Sequence, residues 1–328
     1  MGMLTVTSLL TISFVVFLKI TNESFAVNEL RIALDWTPNV NHVGFFVAQE
    51  KGFYEEEEVD LTIISPLTDD YALTPAKKLE LGQVDFALCP TESLISFRTK
   101  ESPFFMVAIA TILQDDLSAI VTLGDSDIAR PKALDGKIYS SYKARYEDQI
   151  VREMMKNDGG EGHLNCIYPE KLGIWNNLLL GKSDATWIFL NWEGVEAKAK
   201  GVKLNYFKLG DFGIPYSYSP VIAASEFHAK RDGELYQRFL RATKKGFLFC
   251  RKNREEAIDI LSRQVPPSDV NVDLAKALEV TVEAFGTENG WGQIEDVKLQ
   301  MFLDWLAKKG LEKQRFLAAD INASSLPC

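Results

Sequence analysis

Apolar runs alternate with amphipathic segments along most of the chain. RIALDW (31–36) reads as a strand. Val43 to Lys51 reads as a helix, with Phe45, Phe46, Ala48 and Gln49 on neighbouring faces. Gly52 ends that helix, with Lys51 in its last turn. VDLTIIS (59–65) is a second strand, PAKKLELG (75–82) a short helix and VDFALCP (84–90) a third strand. Ser93 to Lys100 continues as a helix, and FFMVAIATIL (104–113) is a long apolar strand. A βαβαβ order with short connections predicts a parallel, doubly wound sheet.

Near Ser118 the pattern starts afresh. AIVTLG, KIYSSY, LNCIYP, DATWIFL and VKLNYFKL read as strands. Helices are expected over Tyr146 to Asn157, Glu170 to Gly181 and Trp192 to Lys200. This predicts a second, smaller α/β lobe over 119–219. VIAAS (221–225) then reads as a strand rejoining the first lobe, built from 27–118 and 220–328, and Leu235 to Gly310 is a run of amphipathic helices. Two α/β lobes joined by two crossovers leave a cleft between them, where small molecules bind.

Composition narrows the partners. With 328 residues, 46% hydrophobic and 25% charged, the chain is an ordinary globular protein, and its net charge of −10 argues against nucleic acid. The acidic run Glu55 to Glu58 fits either a cation site or, more simply, a solvated helix end. LTVTSLLTISFVVFL (4–18) is too short to span a bilayer comfortably, and Ser24-Phe25-Ala26 follows it with a small-x-small pattern. Residues 1–26 therefore read as a signal peptide, placing the mature protein in a secreted or periplasmic compartment. The n-region has no Lys or Arg, so a misassigned start and a cytoplasmic protein is the other reading. The four cysteines show no metal spacing, and Cys89 and Cys250 read as buried thiols. Asn22-Glu23-Ser24 and Asn322-Ala323-Ser324 fit glycosylation sequons.

No catalytic or metal motif stands out. His42, His163 and His228 form no zinc-type spacing, and there is no nucleophile elbow, Walker loop or dinucleotide fingerprint. Gly159-Gly160-Glu161-Gly162 follows a helix and reads as a stop and turn. Five loops at the carboxyl ends of strands remain as ligand positions. Asp35 to Asn41 offers a carboxylate beside an indole, with Trp36 suited equally to stacking or to a core. Thr91, Glu92 and Ser93 follow the third strand, where Thr91 and Ser93 fit helix caps or ligand contacts. Tyr142 and Tyr146 flank Lys143 and Arg145 before a helix. Trp192-Glu193 repeats the Trp–carboxylate pairing, and Tyr216 and Tyr218 sit at the return crossover. Aromatic faces with carboxylates suit a planar, amine-bearing heterocycle better than a phosphate or a sulfonate.

These residues resemble a known family. LDWTPNVNHVGFFVAQEKGFYEEEEVDL (34–61), GQVDFAL (82–88) and WIFLNWEGVEA (187–197) are similar to the thiamine-pyrimidine synthase and pyrimidine-binding family, of the type 2 periplasmic-binding-protein fold. The resemblance runs from about Leu30 to about Ser225. One branch of the family binds formylated aminopyrimidine for a membrane transporter. The other makes the thiamine pyrimidine phosphate from pyridoxal phosphate held on a lysine and a histidine, with iron and a cysteine-rich segment. On the Val84-Asp85 frame the family's lysine falls on Cys89 and its histidine on Ser93; the cysteine-rich segment falls on Asp211 to Pro220, which has no cysteine. Ser141 to Arg145, where the family's phosphate loop falls, lacks glycine. Lys77, Lys78 and Lys143 are the amines left for a lysine role.

The expectation is therefore a non-enzymatic binding protein for an aminopyrimidine thiamine precursor, with no metal, cofactor or catalytic residue. Its ligand contacts are expected at Asp35, Trp36, Asn39, Asn41, Glu92, Tyr142, Tyr146, Trp192, Glu193, Tyr216 and Tyr218, with hinge closure near Ser118 and Ser219. The alternatives are a synthase using pyridoxal phosphate and iron, and a binding protein of this fold for another heterocycle.

Overall fold

A computed structural model describes residues 28–324. The signal-peptide reading, the first sequon and Cys328 lie outside that range. The first sheet begins with β1 (Asn28–Ala33), α1 (Val43–Glu50), α2 (Phe53–Glu56), β2 (Val59–Ile64), α3 (Pro75–Glu80), β3 (Phe86–Cys89), α4 (Thr91–Arg98) and β4 (Met106–Thr111). The chain then crosses to a second sheet, with β5 (Ser118–Leu123), β6 (Ile138–Ser140), α5 (Glu147–Asn157), β7 (Asn165–Ile167), α6 (Ile174–Leu179), β8 (Ala185–Phe189), α7 (Glu193–Ala199) and β9 (Leu204–Phe207). It returns as β10 (Val221–Ser225) and ends in α8 (Glu226–Arg231), α9 (Gly233–Lys252), α10 (Arg254–Ser262), α11 (Leu274–Thr281) and α12 (Asp296–Lys308). None of the described helices is long and apolar enough to cross a membrane.

The strand orders are β2-β1-β3-β10-β4 and β7-β6-β8-β5-β9. The expected all-parallel sheet is corrected here. β1 pairs parallel with β2 and β3, but β10 lies antiparallel between β3 and β4. In the second sheet β5 is antiparallel to both neighbours. The crossing strands enter without a helix to turn them round, so each runs against its neighbours. An apolar run such as VIAAS reports burial and is silent about direction.

Continuous apolar runs arise because both faces of the first sheet are covered. Ile32, Phe86, Leu88, Val107, Ile109, Ile222 and Ala224 join one buried cluster; their neighbours Ala33, Ala87, Cys89, Met106, Ala108, Val221 and Ala223 join the other. That is the two-residue period of a strand. The first cluster is sealed by α9 on α1, where Phe247 meets Phe45 at 5.3 Å, Phe285 at 4.9 Å and Trp291 at 5.7 Å between ring centres. The acidic run closes α2 at the surface, with Glu55 and Glu56 exposed, and its last three carboxylates are paired. Glu56, Glu57 and Glu58 pair with Lys245, Arg241 and Arg238, which share one face of α9. Cys89 and Cys250 are buried, as expected for apolar thiols. The 159–162 glycine segment follows α5 as a turn, with Gly159 and Gly162 at φ of 90° and 80°.

Candidate ligand site

Loops at the carboxyl ends of strands in both sheets, with the return segment before β10, enclose a cavity of about 330 Å³. The β1–α1 loop is organised by its own side chains. Asn39 accepts from the Asn41 amide at 2.8 Å and donates through Nδ2 to the Thr37 carbonyl at 3.0 Å. The Asn39 amide donates to His42 Nδ1 at 3.2 Å, so the ring proton sits on Nε2, which donates to Asp35 Oδ1 at 2.8 Å. Buried His42 thus aims the Asp35 carboxylate, a role the absence of a zinc spacing did not reveal. Asn39 and Asn41 line the cavity; the Asn39 side-chain amide serves the fold through both of its atoms and the Asn41 side-chain amide through its oxygen. The Asn41 oxygen accepts from Asn191, just after β8, at 2.8 Å, tying the two sheets together.

Trp36 forms one wall. Its ring lies 5.8 Å from Tyr142, edge-on, and 6.1 Å from Tyr71. Tyr71 follows β2 and donates its hydroxyl to the Asp35 carbonyl at 2.7 Å. Tyr71 and Lys143 both line the cavity at positive φ, 59° and 62°, a costly backbone for side chains of this size. Sequence reasoning missed Tyr71, although the strand-end rule that flagged five other loops applies equally to the end of β2. It also missed Lys171, whose Nζ lies 4.7 Å over the Tyr71 ring and whose pKa is lowered by burial. Lys77 and Lys78 do not line the cavity; they pair with Glu80 and Asp69.

The other walls come from β3–α4, β6–α5, β8–α7 and the return segment. Trp192 and Glu193 line the cavity, as do Glu92, Tyr142 and Tyr216. Tyr146 and Tyr218 do not, which corrects two expected positions. Tyr146 turns its hydroxyl to Glu312 at 2.7 Å, and Tyr218 accepts from the Glu295 amide at 3.0 Å. Neither segment is a regular strand or helix at that point, so spacing alone did not set which tyrosine faces inward. Thr91 and Ser93 do not cap α4. The Thr91 hydroxyl donates to the Tyr218 carbonyl at 2.7 Å, and Ser93 hydrogen-bonds the Cys89 thiol, which burial holds well above its usual range.

The electrostatics are dominated by buried acids. Glu147 accepts from the Tyr139 hydroxyl at 2.8 Å, the Tyr142 amide at 3.1 Å and the Ala144 amide at 3.2 Å. Burial raises its pKa, and these donors oppose the shift. Glu193 accepts from the Phe189 amide at 3.1 Å and is pushed up to about 7, chiefly by burial. Glu92 is pushed up to about 8, again by burial first, while the Tyr216 hydroxyl lowers it and Glu147 raises it. A carboxyl raised by folding contributes stability that is complete below its unfolded value near 4.5 and is lost as pH rises through its folded value. Thermal stability of the ligand-free protein is therefore expected to fall between about pH 4.5 and pH 8 and to level off above that. Melting curves across that range check this; a flat profile would mean that Glu92 and Glu193 are solvated and ionised. Among the described residues no group of three or more His, Cys, Asp and Glu side chains is placed to hold a metal ion.

Comparison with known proteins places this geometry. A formylaminopyrimidine-binding protein of Halalkalibacterium halodurans is 25% identical over 308 residues, covering 91% of each chain. A 4-amino-5-hydroxymethyl-2-methylpyrimidine phosphate synthase of Legionella pneumophila is 24% identical over 242 residues, covering 73% of this chain and 74% of that one. In three dimensions the chain resembles the alkanesulfonate-binding protein SsuA of Xanthomonas axonopodis pv. citri, with a TM-score of 0.66 at 14% identity, over 90% of this chain and 98% of that one. The fold is thus the two-lobed α/β fold of the periplasmic binding proteins. The profile of the family described as NMT1/THI5 like matches residues 39–257, a span that runs from the aromatic loop after β1 through both sheets and into α10, and the chain belongs to that family.

Proposed function

We propose that the protein binds an aminopyrimidine thiamine precursor, formylaminopyrimidine or hydroxymethylpyrimidine, outside the cytoplasm and delivers it to a membrane transporter for thiamine biosynthesis or salvage. The observation that carries this reading is the pairing of aromatic faces, Trp36, Tyr142 and Trp192, with the carboxyls Asp35, Glu92 and Glu193 in one cavity of about 330 Å³. Flat apolar walls take the ring, and carboxyl oxygens take its N–H donors. The similarity to the Halalkalibacterium halodurans formylaminopyrimidine-binding protein over nearly the whole chain supports the same ligand class. Closure by hinge motion near Ser118 and Ser219 would bring the walls from the two sheets onto the ring.

The β6–α5 loop supports an unphosphorylated ligand. Its Tyr142 and Ala144 amides, the donors a phosphate would use, already serve the carboxylate of Glu147. A phosphate there would meet the Lys143 and Arg145 side chains of the same loop, but Arg145 is paired with Glu312, and Asp35, Glu92 and Glu193 stand in the same cavity. One observation favours the synthase reading: Lys171 places an amine in the cavity, over Tyr71 and outside any ion pair among the described residues, with a pKa lowered by burial. Such an amine is suited to a Schiff base with pyridoxal phosphate. With its Tyr142 and Ala144 amides engaged by Glu147, the loop would offer that cofactor's phosphate chiefly the Lys143 and Arg145 side chains, and the carrier reading takes no cofactor.

Calorimetric titration with formylaminopyrimidine, hydroxymethylpyrimidine and pyridoxal phosphate in parallel separates the two readings. Tight binding of a pyrimidine is expected, with no uptake of pyridoxal phosphate. A borohydride-trapped pyridoxyl adduct on Lys171 or Lys143 would overturn the carrier reading.

A further inference from the structure

Glu92 differs from the other acids of the cavity in what the fold leaves undone. Asp35 accepts from His42, Glu147 accepts three donors, and Glu193 accepts from the Phe189 amide. Glu92 is 3% exposed and lines the cavity, and its Oε2 is fully buried with no hydrogen-bond partner among the described residues. The carboxyl's link is to the Tyr216 hydroxyl on the return segment. The groups coupled to it are Glu147 on α5, Tyr146 at the start of α5 and Cys89 at the end of β3, none of them a cation. The cations lining the same cavity are Lys143 and Arg145 on the β6–α5 loop and Lys171 before α6; Arg145 pairs with Glu312 and Lys171 lies over Tyr71. Buried polar atoms are nearly always paired, and an exception in a cavity wall marks a place where a ligand completes the pairing.

A carboxyl in this setting keeps its proton at neutral pH, in line with its rise to about 8. The protonated form carries an O–H donor beside a C=O acceptor, whereas the carboxylate carries acceptors only. An aminopyrimidine presents the complement along one edge: a ring nitrogen that accepts, next to an exocyclic amine that donates. Building on the aminopyrimidine reading above, we propose that Glu92 binds as the un-ionised acid, donating its O–H to the ring nitrogen and accepting from the adjacent amine. Glu92 is then the residue that selects a ring nitrogen beside an amine, while Trp36 and Tyr142 read only flatness.

The test uses the full chain and hydroxymethylpyrimidine as probe, with wild type, Glu92→Gln and Glu92→Leu titrated calorimetrically from pH 6 to pH 9.5. Glutamine reproduces the donor and acceptor of the neutral acid, so Glu92→Gln is expected to stay within about tenfold of wild type. Glu92→Leu is expected to lose about a hundredfold, because ring nitrogen and amine are then buried unpaired. Wild-type affinity should fall about tenfold per pH unit above pH 8, and Glu92→Gln should not. At pH 7, buffers of different ionisation enthalpy should show well under half a proton taken up on binding. Leucine binding as well as glutamate would remove Glu92 from the ligand contacts. A Glu92→Gln variant as weak as Glu92→Leu, with a full proton taken up by wild type at pH 7, would overturn the neutral-acid form in favour of a carboxylate against a protonated pyrimidine. If wild type bound no aminopyrimidine at any pH, the functional reading itself would fall, and this inference with it.

Discussion

Gly246→Ala is expected to destabilise the protein by about 3 kcal/mol or more, because the added methyl group has no room between α1 and α9. α1 and α9 pack there backbone against backbone, with a glycine on each helix at the contact. A Cβ on Gly246 would stand 2.0 Å from the Gly44 carbonyl oxygen and 2.9 Å from the Ala48 Cβ. A Cβ on Gly44 would in turn stand 2.2 Å from the Phe247 ring. Neither contact is relieved by a flexible side chain, since one partner is backbone and the other a ring packed against Phe45, Phe285 and Trp291. The helices must move apart, loosening that aromatic cluster. For a chain of this size the midpoint should drop by roughly 6–12 °C, read by thermal or urea unfolding. Gly233→Ala, on the same helix with open space around it, is the control and should change little. A Gly246→Ala midpoint within a degree or two of wild type would show that α1 and α9 lie farther apart than described. The change should also weaken ligand binding, because α1 fixes the far end of the Asp35–His42 loop.

Trp36→Ala is expected to weaken pyrimidine binding by about 1–3 kcal/mol, roughly tenfold to a hundredfold, while barely changing the melting temperature. The indole is half-buried and held by ring contacts with Tyr71 and Tyr142 on different elements. Its removal deletes a stacking face from the cavity and leaves the adjacent hydrogen-bond network of Asn39, His42 and Asp35 in place. Trp36→Phe keeps a flat face of smaller area and should recover part of the loss. Calorimetry with hydroxymethylpyrimidine, alongside melting curves, separates the two effects. Unchanged affinity with a lowered midpoint would make Trp36 a core indole, the other role its sequence context allowed.

The path from sequence to site was legible where local chemistry decided the outcome. VIAAS became β10 over the same five residues, and the apolar runs at 86–89 and 106–111 became strands that feed two buried clusters. Strand-end loops with a Trp beside a carboxylate did reach one cavity from both sheets. The family resemblance carried by the LDWTPNVNHVGFF stretch is matched by the NMT1/THI5-like profile. Tyr146 and Tyr218 went the other way, because a hydroxyl in an irregular segment turns to whichever acceptor or donor the distant chain supplies. For Tyr146 that is Glu312, 166 residues away in sequence.

What the sequence by itself determined was burial, element type and the kinds of side chain gathered at strand ends, since these follow from periodicity and from the intrinsic chemistry of Gly, Pro and the aromatics over a few residues. The tertiary structure alone decided direction and partnership. It set β10 antiparallel between β3 and β4, placed His42 behind Asp35, spent Glu147 on its own loop amides and left Glu92 with a buried oxygen unpaired. The reason is physical. An apolar pattern fixes how much surface leaves water, but a buried polar group's state depends on donors and charges brought next to it from far along the chain, and in a low-dielectric interior those few neighbours outweigh everything local.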